Sequence, residues 1–263
     1  MDAEGIVERL KVLANPGALE GMSRYGIATD HALGVSMPQV RALAKVIGHD
    51  HELALGLWGT GIHDARILAS LVDSPAAVTE EQMEDWVTAL DSWDVCDQCV
   101  TNLFARTSCA ERKAHEWSTR PEEFVKRAGF VIMARLASTE RAAADAVFER
   151  FLAAIEREST DERNFVKKSV NWALREVGAR NAALNTSACD LASRLSASAS
   201  PAARWVGRDA LRELQARASD GHLRSFGQPL RPPPSVALTL RQTAHYTDVY
   251  THAVECPSPA PRG

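Results

Sequence analysis

Apolar residues recur through most of the chain at intervals of three and four positions, as at Phe148, Phe151 and Ile155. In an α-helix this spacing places the apolar side chains on one face, which can then pack against a neighbouring helix. Runs of β-branched residues that alternate with polar residues, which are typical of strands, are absent from the sequence. The pattern therefore predicts an all-α chain.

Helix start and stop signals divide this pattern into about a dozen short helices. Thr79 and Gln82 form a capping box, and Pro38 follows a serine N-cap. Gly178 ends another of the helices. Helices are predicted at residues 3–14, 39–47, 51–58, 64–72, 110–118, 122–136, 140–158, 162–177, 187–195 and 202–216, and two more begin at residues 80 and 93.

The short links between these helices indicate antiparallel helix pairs, stacked either as a solenoid or as an irregular bundle. No exact repeat is visible, so any repeat is degenerate. The composition changes near residue 220, since seven of the 12 prolines lie in residues 228–263. We predict a helical-repeat domain over residues 1–219 and a Pro-rich, disordered tail over residues 220–263.

The bulk properties are those of an ordinary globular protein, with 45% hydrophobic and 24% charged residues in a chain of 263. No apolar stretch is long enough to span a bilayer, and the N-terminus lacks the basic-then-apolar pattern of a secretion signal. The five cysteines form an odd set, which does not indicate a disulfide framework. We expect a cytoplasmic protein.

Charge is distributed unevenly along the chain. The formal net charge is -4, but residues 1–100 carry 6 Lys and Arg against 16 Asp and Glu, whereas residues 101–263 carry 24 against 18. Phosphate binding requires a local basic face rather than a basic whole. The C-terminal part of the chain can supply such a face, although an unevenly charged, solvated surface explains the same numbers.

A first candidate site lies at residues 91–97. Trp93 and Asp97 are four positions apart and therefore share a helix face. Asp94 is explained by the helix dipole, because it lies in the first turn, whereas Asp97 lies deeper and beside an indole. A carboxylate next to an aromatic face suits a site that meets positive charge. The alternative is a surface Asp97 beside a core tryptophan.

A second candidate site lies on the predicted helix at residues 162–177. Lys168, Trp172 and Arg175 share one face of this helix, and Lys167 is adjacent to them. A stripe that is both basic and aromatic can follow a sugar–phosphate backbone. The alternative is a core Trp172 with solvated cations around it.

Other chemistries lack their sequence signatures. Cys96 and Cys99 have no second pair with which to form a zinc site. No HExxH motif, Gly-rich phosphate loop or GxSxG turn occurs in the sequence. We expect neither a metal nor a cofactor.

Four segments, taken in order, carry a resemblance to a known family. They are Met-Ser-Arg-Tyr at 22–25, Trp-Asp-Val-Cys-Asp at 93–97, Lys-Arg-Ala at 126–128 and Asn-Trp-Ala-Leu-Arg-Glu at 171–176. In order and approximate spacing they are similar to the AlkD-type alkylpurine DNA glycosylases of the DNA alkylation repair family. The resemblance covers roughly residues 5–216.

The resemblance implies a right-handed superhelical solenoid of degenerate HEAT-like antiparallel helix pairs, with duplex DNA on the concave face. It also implies roles for individual residues. Asp97 would be the catalytic carboxylate, with Trp93 and Trp172 beside it at the lesion. Tyr25 would line the same site, and Arg127 would contact DNA near the lesion.

The implied activity is hydrolysis of the N-glycosidic bond of cationic purines alkylated at N3 or N7 in duplex DNA, by a monomer and without a metal or cofactor. Two alternatives stay open: a non-catalytic protein that binds DNA structures, and a protein–protein scaffold. Burial of Tyr25, Trp93 and Trp172 in separate cores would favour the scaffold. The resemblance gives no role to Asp64 or Arg66.

The charge pattern and the resemblance together predict a basic groove. The residues expected to contact DNA are Tyr25, Arg127, Lys167, Lys168 and Arg175. The acidic side chains of residues 1–100 are expected to point away from the groove. The affinity for DNA should then fall steeply with salt, because each neutralised phosphate releases counterions.

Overall fold

The chain is all-helical over the residues that a computed structural model describes, 2–227. No strand occurs in this range, which confirms the predicted fold class. The helices are α1 (Ala3–Val12), α2 (Pro16–Arg24), α3 (Met37–Ile47), α4 (His51–Gly59), α5 (His63–Val72), α6 (Glu80–Thr88), α7 (Trp93–Asn102), α8 (Ala110–Ser118), α9 (Glu123–Thr139), α10 (Asp145–Glu158), α11 (Asn164–Gly178), α12 (Ala182–Ser196) and α13 (Pro201–Ser219), with a 3-10 helix at Phe104–Arg106 between α7 and α8.

These helices form two layers. In the inner layer, which consists of α3, α5, α7, α9, α11 and α13, each helix packs against the next. In the outer layer, α4, α8, α10 and α12 pack on α5, α9, α11 and α13 respectively. Successive helix pairs therefore stack as in a solenoid, and the core is the apolar space between the two layers.

Glycines let the paired helices approach closely. Gly129 in α9 and Gly207 in α13 are each the seventh residue of their helix. A Cβ atom on Gly129 would lie 2.6 Å from the backbone nitrogen of Ser118, and one on Gly207 would lie 2.5 Å from the backbone oxygen of Ala192. These equivalent positions are a trace of the repeat that is not visible in the sequence.

Three tryptophans belong to the core. The rings of Trp58 and Trp86 stack at a centroid distance of 4.1 Å, and Trp117 meets the edge of Phe104 at 5.7 Å. Burial of each such side chain contributes about 1.5–3 kcal/mol to stability. These rings hold the layers together and take no part in the surfaces described below.

Asp64 ties the segment between α2 and α3 to the inner layer. Its buried carboxylate accepts hydrogen bonds from the backbone nitrogens of Leu33, at 2.6 Å, and Val35, at 2.8 Å. Two residues later in α5, the Arg66 guanidinium lies 5.0 Å from the ring centroid of Trp58. Structural roles therefore account for the two residues that the resemblance leaves unassigned.

Three helix predictions differ from the structure. The sequence pattern does not predict α2, which has only nine residues and lacks a side-chain cap. The helix predicted from residue 140 begins at Asp145. The helix predicted from residue 187 begins at Ala182, because the Asn181 side chain accepts a hydrogen bond from the backbone nitrogen of Leu184 at 2.9 Å and caps it.

The predicted tail covers residues 220–263, of which residues 228–263 lie outside the described residues. Residues 222–227 return along the repeat domain. The backbone nitrogen of Arg224 donates to the oxygen of Ala179 at 2.9 Å, and the Arg224 guanidinium bonds Glu176 at 2.7 Å. The domain boundary at residue 219 stays a prediction, since α13 ends there but the packed chain continues to residue 227.

Candidate active site

A carboxylate and a guanidinium meet between α7 and α9. Arg127 Nε donates to Asp97 Oδ1 at 2.9 Å, and Arg127 Nη2 donates to Asp97 Oδ2 at 2.8 Å. Arg127 Nη1 donates to the backbone oxygen of Phe165 in α11 at 2.7 Å. These bonds join three inner helices at one level, and the bidentate pairing fixes the orientation of the carboxylate.

The pair is largely withdrawn from water, with side-chain exposures of 6% for Arg127 and 18% for Asp97. Burial raises the pKa of the Asp97 carboxyl, and the charge and hydrogen bonds of Arg127 oppose that rise. Burial lowers the pKa of Arg127, but Asp97 outweighs this effect and the net shift is upward. Two N–H donors of a guanidinium on two separate oxygens favour the carboxylate form, so we assign the pair as ionised.

The Trp93 ring lies beside this ion pair and is hydrogen-bonded to the backbone of Tyr25. Trp93 Nε1 donates to the backbone oxygen of Tyr25 at 3.1 Å, and the Arg127 guanidinium lies 5.7 Å from the Trp93 ring centroid. The residue Tyr25, at the end of α2, is 75% exposed. The fold therefore brings together four of the predicted site residues, Tyr25, Trp93, Asp97 and Arg127.

Gly26 lets the chain after α2 reach this site. Its φ of 71° lies in the left-handed region, which side chains disfavour, and a Cβ atom there would lie 2.8 Å from the Phe165 ring. Sequence reasoning missed Phe165. Its spacing contained the signal, because Phe165 precedes Lys168, Trp172 and Arg175 on one face of α11.

Trp172 lies farther along α11. It is half-buried against the core and stands two helical turns after Phe165, which corresponds to about 10 Å along the helix axis. Within residues 2–227 no hydrogen bond or ring contact joins Trp172 to Asp97 or Arg127. Its role at the lesion stays a prediction.

The predicted DNA-contacting cations of α11 differ in their surroundings. Arg175 forms an ion pair with Glu213 of α13 at 2.9 Å. Lys167 Nζ lies 5.3 Å from the Trp205 ring centroid, and Lys168 is exposed. In the part of the chain that the structure describes, neither lysine has an ion-pair partner. The uncompensated charge of the stripe is therefore carried by the two lysines.

The expectation that the acids of residues 1–100 point outward is wrong for several of them. Asp64 and Asp73 are buried, and Asp94 contacts His63 Nε2 at 2.9 Å while accepting a hydrogen bond from the Ser92 hydroxyl at 2.6 Å. Burial lowers the pKa of His63, but Asp64 and Asp94 outweigh this effect and raise it to about 9. Some of the acidic side chains of residues 1–100 are thus inside the fold and have hydrogen-bonding partners there.

The thiols near the site are packing groups. Cys96 and Cys99 are fully buried, and burial raises the pKa of both. A thiol that stays protonated is a poor nucleophile and a poor metal ligand. Within residues 2–227, His, Cys, Asp and Glu form no group suited to a metal ion. None of the helices in this range has the length and apolarity of a membrane span.

Comparison with known proteins identifies the family. The family model described as DNA alkylation repair enzyme matches residues 6–214. The chain belongs to the DNA alkylation repair enzyme family. This match confirms the family that the four sequence segments indicate, and it includes all the predicted site residues of the chain. No curated protein matches the sequence of this DNA alkylation repair family member.

One solved structure agrees with the predicted fold, and a second match is weak. One match has a TM-score of 0.72 and 19% identity, and it covers 87% of this chain and 99% of the other. That protein is described as one of a family related to the HEAT-like repeat DNA glycosylases with affinity for branched DNA structures. An engineered protein matches with a TM-score of 0.35 and 13% identity over 79% of this chain and 98% of its own. The first match confirms the predicted HEAT-like stack of helix pairs.

Proposed function

We propose that this member of the DNA alkylation repair enzyme family is a DNA glycosylase. Its reaction would be hydrolysis of the N-glycosidic bond of purines alkylated at N3 or N7 in duplex DNA. The observation that carries the proposal is the Asp97 carboxylate, oriented by Arg127 and flanked by Trp93 and the exposed Tyr25.

The chemistry of this reaction suits such a site. A purine alkylated at N3 or N7 is cationic and leaves as a neutral base, taking the electron pair of the C1′–N bond. The sugar becomes an oxocarbenium ion, and the oxygen of a water molecule bonds to C1′ and releases a proton. The Trp93 ring face would stabilise the positive charge by about 0.5–2 kcal/mol.

Asp97 would act on the same charge and would orient the attacking water. Arg127 holds the carboxylate in one orientation before DNA arrives, so little reorganisation is needed during the reaction. The part of Asp97 that remains exposed is the part that a nucleotide or a water could reach.

Duplex DNA is the proposed partner, and a monomer is the proposed binding unit. Lys167 and Lys168 supply positive charge that no ion pair compensates within residues 2–227, and phosphates bind to such groups. A protein–protein scaffold is less well supported, since Trp93 bonds the Tyr25 backbone at one site and Tyr25 is exposed, although Trp172 packs against the core.

A second candidate is a protein that binds DNA structures without excising bases. It is favoured by one observation: Arg127 engages both oxygens of Asp97, so the carboxylate is also satisfied as a structural partner. The structural neighbour described as having affinity for branched DNA supports the same candidate.

Release of damaged bases separates the two candidates. Duplex DNA treated with a methylating agent is incubated with the protein, and free 7-methylguanine and 3-methyladenine are measured by mass spectrometry. The glycosylase proposal expects release that increases with protein concentration. Binding of the duplex without any release would instead support the second candidate.

A further inference from the structure

A second surface that is both basic and aromatic lies on α13, the last helix of the inner layer. Its side chains come from residues 201–212 of α13 and from Lys167 of α11, and we refer to it as the α13 surface. A depression of about 270 Å³ on it is lined by Pro201, Arg204, Trp205, Arg208, Asp209 and Arg212. Neither the family match nor the resemblance gives these α13 residues a role.

Trp205 distinguishes this surface from an ordinary polar helix face. Its side chain is 40% exposed, whereas Trp58, Trp86 and Trp117 are buried in the core. Lys167 Nζ lies 5.3 Å from the Trp205 ring centroid. The indole is therefore presented to solvent beside a cation, and it is not used to hold the layers together.

The charge of the α13 surface is positive. Lys167, Arg204, Arg208 and Arg212 stand against two carboxylates: Asp209, which bonds Arg212 at 2.6 Å, and Glu162, which accepts a hydrogen bond from the Ala202 backbone nitrogen at 3.4 Å. In the described part of the chain, Lys167 and Arg208 have no ion-pair partner. The surface is thus a local basic patch on a chain of net charge -4.

Arg204 is held in place without being neutralised. Its Nη1 donates to the backbone oxygens of Ser198, at 2.9 Å, and Ala199, at 2.6 Å, at the end of α12. Carbonyl groups orient the guanidinium but leave its charge intact. A preformed cation of this kind loses little conformational entropy when it binds an anion.

The α13 surface also closes the end of the helix stack, where a polar face is needed for solubility. That need explains the arginines, but it does not explain the exposed indole, because surfaces carry few exposed tryptophans beyond what function requires. A flat ring beside several cations is instead the arrangement that binds single-stranded nucleic acid, with a base on the ring and phosphates on the cations.

We propose that the α13 surface binds an unpaired segment of nucleic acid, with a base stacked on Trp205 and the backbone held by Lys167 and Arg208. Bases inside a duplex are stacked on both faces, so an unpaired stretch at a gap, a branch or a single-stranded extension would supply such a base. This inference rests on the nucleic-acid binding included in the proposed function, but not on base excision.

The test compares two fluorescent probes by anisotropy: a blunt DNA duplex and the same duplex with a single-stranded extension. We expect Trp205→Ala to weaken binding of the extended probe by roughly tenfold, the effect of losing one stacked base, and to leave binding of the blunt duplex nearly unchanged. Trp205→Phe should restore most of the loss, because a phenyl ring also stacks. Arg150→Ala, which removes one positive charge from the outer layer, is the matched control for Arg208→Ala.

Two results would overturn the inference. If Trp205→Ala and Arg208→Ala weakened both probes equally, the surface would bind a duplex backbone. If neither variant changed binding of the extended probe, the α13 surface would only cap the stack of helices. Release of 7-methylguanine from blunt duplex, measured on the same variants, keeps this test separate from that of the proposed function, because we expect Trp205→Ala to leave the release unchanged.

Discussion

The Asp97–Arg127 pair joins two roles at the scale of single residues. It carries the charge proposed to act on DNA, and it links α7 to α9 and α11 through three hydrogen bonds. The helical spacing of Trp93 and Asp97 was visible in the sequence, but the partner of Asp97 was not, because Arg127 lies 30 positions away. The structure thus replaces a free surface carboxylate with a clamped one.

Arg127→Met should lower the free energy of unfolding by about 3–5 kcal/mol, because it leaves the buried Asp97 charge without a partner. The control is Arg150→Met, which breaks an ion pair with Glu111 whose side chains are 55% and 46% exposed and should cost about 0–1 kcal/mol. Urea denaturation measures both losses. Losses of equal size would contradict the role assigned to the buried pair.

His63 makes the stability depend on pH. Its pKa is about 9 in the folded chain against 6.5 for an unperturbed histidine, so its contribution is fully present below pH 6.5 and is lost as the pH rises through about 9. The loss can reach about 3 kcal/mol. His63→Gln should flatten the stability profile in this window, and an unchanged profile would show that His63 does not carry the effect.

At the scale of elements, the chain was easiest to predict where an apolar stripe and a cap coincide. The stripe of α10 and the Thr79 cap of α6 both correspond to observed helices, although the Gln82 side chain bonds Asp73 and does not complete the predicted capping box. The sequence pattern does not predict α2, because this helix is short and has no side-chain cap, and yet it places the Tyr25 backbone at the site. Its placement depends on Gly26 and Asp64, whose contacts lie far away along the chain.

Gly129→Ala should destabilise the chain by about 1–3 kcal/mol, the usual cost of overpacking, because the new methyl group would meet the backbone of α8 at 2.6 Å. Gly21→Ala in α2 is the matched control, since nothing lies within 4 Å of its Cβ position. The control should gain about 0.5–1 kcal/mol from lower backbone entropy in the unfolded state. Thermal denaturation distinguishes the two, and a neutral Gly129→Ala would contradict the close packing of α8 and α9.

At the scale of the whole molecule, the all-α fold, the stacked helix pairs and the family could be predicted from periodicity and four short segments. The charge arrangement could be predicted only in part. Buried partners absorb some of the N-terminal acids, as at Asp94, and Arg175 is paired with Glu213. The numbers of acidic and basic residues in the sequence contain no information about such pairing, because the pairs form only when distant helices pack.

DNA binding should depend on salt through Lys167 and Lys168. Alanine at either position should reduce the slope of log K against log salt by about 1, since one phosphate contact is lost. Arg150→Ala should leave the slope unchanged. A slope that is the same in the wild type and in all the variants would contradict the proposal that these two lysines of α11 contact phosphates.

The central claim is that the Asp97 carboxylate excises alkylated purines, and single-turnover release of 7-methylguanine by wild type and Asp97→Asn tests it most directly. The variant is nearly isosteric but removes the charge opposite the oxocarbenium ion, so we expect the rate per folded molecule to fall by roughly 100-fold or more. Because Arg127 loses its charged partner, the folded fraction must be measured in the same samples. A variant that releases 7-methylguanine at the wild-type rate per folded molecule would contradict the account.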